Sequence, residues 1–131
     1  MTILVAYAPR PEGRAALEKG IEIASRRNER LLVVNAISGG NQNDPSLADS
    51  VDVNAVEKRL VAAGVEGTFK QFVRGKDAVA EIVELADKPD VTLVIVGLRK
   101  RTPMGKLIMG SVSRDILLSV SCPVLAVKSA D

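Results

Sequence analysis

The chain has 131 residues, enough for one domain to bury a core without disulfide or metal staples. Apolar residues make up 47% and charged residues 26%, the balance of a soluble globular protein, and 18 basic side chains nearly offset 16 acidic ones, so there is no general pull toward nucleic acid or an anionic membrane. The absence of histidine and the single cysteine, Cys122, exclude Ser-His-Asp and Cys-His catalysis, histidine metal ligation and an internal disulfide.

One Tyr, two Phe and no Trp leave the core to Val, Ile, Leu and Ala, which suits a sheet buried on both faces. No apolar run approaches the roughly 20 residues of a membrane span. The opening Met1–Ala8 reads as a short strand rather than a signal peptide. A lone cysteine fits a reducing compartment. The expectation is a soluble cytoplasmic protein with no membrane and no nucleic-acid partner.

In chain order, Ile3–Ala8 is the first aliphatic, strand-length run. Pro11–Arg27 follows with Leu17, Ile21 and Ala24 at helical spacing, and Pro11 suits a first helical turn. Leu31–Ile37 is the second strand. Ser38–Asp49, rich in Gly, Asn, Ser and Pro, is a long loop, either a surface connection or a lid over a ligand. Val53–Ala63 is a weaker helix with Val56, Leu60 and Ala63 as its stripe, stopped by Gly64. Thr68–Val73 is the third strand. The third helix carries Val79, Ile82, Val83 and Ala86, with Asp77 as its expected cap and Pro89 beyond its end. Val91–Val96 is the fourth strand. Ile116, Leu117 and Val120 mark a helix after Ser111, and Pro123–Val127 is the last strand. The order β-α-β-α-β-α-β-α-β predicts a single open, doubly wound, five-stranded parallel sheet of Rossmann-like form, one domain over residues 1–131.

In such a sheet, ligands sit beyond the carboxyl ends of the strands, near the reversal of strand order. The segment Gly97–Arg114 is the richest in polar chemistry among those ends. Gly97 permits a sharp turn out of a buried strand. Gly110–Ser111 opens a helix whose first N–H groups favour an anion, and Ser111 and Ser113 add hydroxyls. Arg99, Lys100, Arg101, Lys106 and Arg114 supply positive charge. That set suits a polyphosphate; an ordinary β-to-α loop with a capping serine and solvated cations would read the same way. Gly105–Lys106 is no P-loop, because Leu107 stands where Ser or Thr is needed and Lys100 where the first Gly belongs. Ser38–Gly39–Gly40 is similar to the loop of ATP pyrophosphatases, but it follows the second strand and no Asp-Ser completes it. Tyr7, Ala8 and Pro9 replace the acidic residues of a phospho-receiver, and no G-x-G-x-x-G is present.

Gly97–Ser113 followed by CPVLAVK resembles the universal stress protein family. The family's pattern is Gly, two residues, Gly, nine residues, Gly, then Ser or Thr. Gly97, Gly110 and Ser111 match it, and Lys100 replaces the middle Gly. ILVAYAPRPEGRAAL is similar to the family's first strand and helix, and RGKDAVAEIVELA with DVTLVIVG to its third helix and fourth strand. The resemblance implies an adenine nucleotide alpha hydrolase-like fold with ATP or AMP as ligand, and Mg if ATP. By position, Tyr7 and Ala8 would border base and sugar, Ala36 would line the base pocket, Gly97, Arg99 and Lys100 would flank ribose and outer phosphates, and Gly110, Ser111, Val112 and Ser113 would cradle phosphates. The family's adenosine-holding Asp is Ala8 here. Tyr7 also reads as a buried edge aromatic, Arg74 as a surface charge that could close over the site, and Asp115 as a helix charge within reach of a metal. The resemblance also implies a homodimer through the edge strand Pro123, Val124, Leu125, Ala126, Val127 and Lys128, with Cys122 as a small buried apolar residue.

Three functions stay open. One is a nucleotide-binding regulator with at most slow hydrolysis. Another, suggested by Ala8 and Lys100, is a domain that no longer binds nucleotide and serves as a dimeric module for an unknown protein partner. The third is a flavin or nucleotidyl-transfer enzyme, which fold alone cannot carry.

Overall fold

The computed structural model describes residues 1–37, 45–72, 75–101 and 106–129. Strands β1 (Thr2–Ala6), β2 (Arg30–Ala36), β3 (Gly67–Phe72) and β4 (Val91–Arg101) alternate with helices α1 (Pro11–Arg27), α2 (Ser50–Ala63) and α3 (Gly75–Ala86). A short β5 (Lys106–Ile108), α4 (Ser111–Ser119) and β6 (Val124–Lys128) complete the order. The sheet runs β3-β2-β1-β4, all parallel. Val94 and Ile95 of β4 pair with β1 on one side and with parallel β6 on the other. Strand order therefore reverses between β1 and β4, the crevice expected to take a ligand.

Alternation along β1 explains the layering, since successive side chains point to opposite faces. Ile3 and Val5 join Leu31, Val33 and Ile95 under α1 and α2, where Leu17, Ile21, Val56 and Leu60 cover them. Leu4 and Ala6 join Val34, Ala36, Val94 and Val96 under α3 and α4, where Ala78, Ile82 and Ile116 cover them. Both faces are mainly aliphatic, as the composition implied.

The expected doubly wound parallel sheet is present, and α1 has the expected bounds. Gly64 ends α2 at φ 69°, giving its N–H to Leu60 and Val61 carbonyls. Several boundaries differ. β1 stops at Ala6, although the Tyr7 N–H still reaches the Val34 carbonyl at 2.7 Å. β4 runs five residues past Val96, because Arg99–Arg101 pair antiparallel with β5, a sixth strand. Gly97 therefore lies inside a strand rather than at a turn. Helix α2 starts at Ser50, where an Asp49–Asp52 capping box fixes it. Helix α3 begins at Gly75, so Asp77 falls inside its first turn rather than at the cap. The Asp77 and Arg101 side chains, Arg74, Ser38–Gly39–Gly40 and Gly105 lie outside the described residues. No described helix is long and apolar enough to cross a membrane.

Candidate functional site

The carboxyl ends of β1, β2 and β4 open into a cavity of about 720 Å³, within the usual range for small-molecule sites. Its wall gathers most of the residues singled out in the sequence: Tyr7 and Ala8 from the end of β1, Ala36 from β2, Arg99 and Lys100 from the β4 extension, and Gly110, Ser111, Val112 and Ser113 from the start of α4. Gly97, Lys106, Arg114 and Asp115 do not line it, and Arg114 lies 3.9 Å from Asp115.

Two helices begin at this wall with their first donors uncapped. Gly110 is the N-cap of α4 and offers no side chain; the first helical bond is Arg114 N–H to the Gly110 carbonyl at 2.9 Å. The N–H groups of Ser111, Val112 and Ser113 precede that bond and have no intrahelical acceptor. Arg10, the N-cap of α1, likewise makes no side-chain capping bond. Partial positive charge from both helix ends adds to the guanidinium and ammonium groups of Arg10, Arg99 and Lys100. Free helix N–H groups beside cations form an environment that favours an anion.

Close backbone approach places α1 there. A Cβ on Gly13 would lie 2.0 Å from the Ala8 carbonyl oxygen, and one on Gly97 would lie 2.1 Å from that of Glu12. Only glycine permits either contact. Gly97 thus acts on the site indirectly, by letting the first turn of α1 rest on β4.

The opposite wall is held by Asn35, fully buried on β2. Its amide donates to the carbonyls of Tyr7 (2.9 Å) and Ser46 (2.8 Å). Its oxygen accepts from the Ala48 N–H (2.9 Å) and from Gln71 (3.0 Å). This fastens the described end of the β2–α2 connection, residues 45–49, to β1 and β3. Ser46 then accepts a bond from Arg10 Nε at 2.8 Å, and both residues line the cavity. The Tyr7 ring is buried at the end of the central strand β1 rather than partly exposed at an edge; it packs edge-to-face on Phe69 at 6.2 Å, and the residue lines the cavity. Burial raises the Tyr7 hydroxyl above its ordinary pKa, with the Asp52 and Asp49 charges adding to the effect.

Sequence reasoning missed Arg10, Glu12 and Ser46. Arg10 and Glu12 flank Pro11 where the first helix leaves the switch point, which was the available signal. Ser46 is 36 residues from Arg10, and nothing local announces it. Elsewhere, Cys122 is half-buried and free, with its thiol pushed up by burial. Strand β6, which carries exposed Leu125, pairs only with β4 among the described residues, leaving its outer edge open.

The family model for the universal stress protein family matches residues 1–128. A universal stress protein of Mycolicibacterium smegmatis is 46% identical over 126 residues, covering 96% of each chain. A solved universal stress protein from Archaeoglobus fulgidus matches with a TM-score of 0.64 at 34% identity over 98% of both chains. Another from that organism, in complex with dAMP, matches with a TM-score of 0.68 at 27% identity, again over 98% of both.

Proposed function

Because the chain belongs to the universal stress protein family, we propose that it is a regulatory module that binds an adenine nucleotide, AMP or ATP, in the crevice between β2 and β4. The observation that carries this reading is the uncapped start of α4, Gly110–Ser113, facing a cavity that also holds Arg99 and Lys100. Free N–H groups, two hydroxyls and two cations are what a phosphate requires. Ala36 on β2 supplies an apolar floor for the base, and Ala8 and Tyr7 lie between. The dAMP complex of the Archaeoglobus relative supports the ligand class.

Lys100 is exposed on the wall and leaves the cavity open, so it serves to reach phosphate rather than to fill the pocket. Among the described residues no group of three Asp, Glu, Cys or His converges, so with ATP the Mg²⁺ would be carried mainly by the triphosphate. The site is one for holding and sensing a nucleotide rather than for fast phosphoryl transfer, which needs a positioned base.

A thermal melt with and without millimolar AMP, or ATP with Mg²⁺, tests the reading. A ligand at 100 times its dissociation constant adds about 2.7 kcal/mol, a shift of several degrees. No shift with either nucleotide would overturn it and leave an interaction module. The open edge Pro123–Lys128 supports a further element, antiparallel pairing of β6 with a second copy across a two-fold axis. A monomeric mass at micromolar concentration would sink that element.

A further inference from the structure

One cation of the cavity wall is oriented and only partly used. Arg10 is half-buried at the start of α1, and its Nε donates to Ser46 Oγ at 2.8 Å. The N–H groups of its two terminal nitrogens have no partner among the described residues, and neither Glu12, the one carboxylate of the wall, nor any other described acid pairs with it. Ser46 is itself tied through its carbonyl to Asn35 of β2 at 2.8 Å. The guanidinium is thus held by one edge, and the end-on fork that grips a phosphate bidentately is left over.

Arg10 stands apart from the anion site at α4. Alternation along β2 turns Val33 and Asn35 toward α1 and α2, and Val34 toward α3 and α4. Asn35, Ser46 and the Arg10 guanidinium therefore lie on the α1–α2 side of the sheet, while Val112 and Ile116 seat the start of α4 on the opposite layer. The two sets of donors enter the crevice from opposite faces. A phosphate on Ser111–Ser113 leaves Arg10 to face the nucleoside, whose sugar lies at Tyr7 and Ala8. The nucleoside of AMP is neutral and offers only weak acceptors, whereas an anion there takes two charge-assisted bonds. Glu12 backs onto Gly97 of β4 with its Oε2 buried, and Ala8 puts no carboxylate beside the sugar to repel an anion. Resting on the nucleotide reading above, we propose that Arg10 binds a second phosphate, carried on the ribose 2′ or 3′ oxygen, so that the ligand class preferred by this cavity is an adenosine bisphosphate. The Asn35–Ser46 network fixes the receiving group before the ligand arrives.

Calorimetric titration of the full chain with AMP, Mg-ATP, adenosine 2′,5′-bisphosphate and adenosine 3′,5′-bisphosphate tests this, in the native protein and in Arg10→Ala, Arg10→Lys and Arg114→Ala. The native chain should bind one bisphosphate about tenfold or more tightly than AMP, as expected for added hydrogen bonds between charged groups. In Arg10→Ala that gap should close with AMP affinity nearly unchanged. Arg10→Lys, which keeps the charge without the fork, should show an intermediate gap and serves if Arg10→Ala fails to fold. Arg114→Ala removes a cation outside the wall and should leave the gap as it is. A native chain that binds neither bisphosphate more tightly than AMP overturns the proposal while leaving nucleotide binding intact. A gap that survives in Arg10→Ala, or closes equally in Arg114→Ala, overturns it too. Equal loss of AMP and bisphosphate in Arg10→Ala assigns Arg10 to the 5′-phosphate, and a preference for Mg-ATP that depends on Arg10, without a bisphosphate gain, assigns it to the polyphosphate; either result replaces the proposal. Failure of the native chain to bind any of the four removes the nucleotide reading itself, and this proposal with it.

Discussion

Helices α2 and α4 both start beyond the carboxyl ends of strands, yet their first turns are completed in opposite ways. At α2 the chain supplies its own acceptors. Asp49 accepts from the Asp52 N–H at 2.9 Å, and Asp52 accepts from the Asp49 N–H at 2.9 Å. At α4 the N-cap is Gly110, with no side chain to give, and Ser111, Val112 and Ser113 turn their donors toward a basic cavity. The first helix end is closed by its own side chains, which stabilises the helix; the second leaves donors free where an anion can use them. Where a helix begins uncapped beside a cavity, the missing cap is a functional signal.

Breaking the α2 side should give the largest effect. Asn35→Ala removes four hydrogen bonds, among them those to the Ala48 N–H and to the Tyr7 and Ser46 carbonyls. The expected loss is about 3 kcal/mol or more, read by urea denaturation. Nucleotide affinity should fall as well, because Ser46 lines the cavity. A loss under about 1 kcal/mol would show that the 45–49 segment is held by something other than Asn35.

Gly110→Val combined with Ser111→Ala inverts that pattern. A Cβ on Gly110 meets nothing within 4 Å, and its φ of −64° suits any residue. Stability should change by less than about 0.5 kcal/mol. Affinity for AMP should drop ten- to a hundredfold, since one hydroxyl is lost and a branched side chain crowds the N–H groups. Unchanged affinity, measured by calorimetric titration, would mean that the phosphate lies elsewhere.

Asp49→Ala sharpens the contrast at smaller scale. Removing the cap should cost about 1 kcal/mol and leave AMP affinity unaltered. A matching fall in affinity would erase the distinction between the two helix ends.

The same contrast governs how much could be read from the sequence. Both layers of the core follow from alternation along Ile3–Ala6 and from helical stripes such as Leu17, Ile21 and Ala24, because period and burial are properties of short segments. The extension of β4 through Arg99, Lys100 and Arg101 was hidden: three cations give no strand pattern, and only antiparallel pairing with Lys106–Ile108 makes them one. Gly97 looked like a turn residue and is a packing residue, since its role depends on Glu12, 85 positions earlier in the chain. Gly110, Ser111 and Ser113 were visible because the donors they expose are local to one helix start. Arg10, Glu12 and Ser46 reach the cavity only through the fold, and the Asn35 network that places Ser46 depends on β3 as well.

Tyr7 stands where the two regions meet, and its effect should be the smallest. Its ring packs on Phe69 in the core under α1 and α2, while the residue also borders the cavity. Burial raises the folded-state pKa of its hydroxyl, with Asp52 and Asp49 pushing the same way and Arg14 opposing. The unfolded chain ionises near the ordinary value of about 10, so its release of the proton favours unfolding as pH rises above that. The neutral form's contribution is therefore intact below about pH 10 and is lost progressively toward the higher folded value. Tyr7→Phe keeps the ring and removes the titration. At pH 7 its stability should match the native chain within about 0.5 kcal/mol. Between pH 9 and about 11 it should lose less stability than the native chain, by urea denaturation at each pH. If the two pH profiles run parallel, the hydroxyl faces solvent through the cavity mouth, and Tyr7 belongs to the ligand side of the comparison rather than to the core.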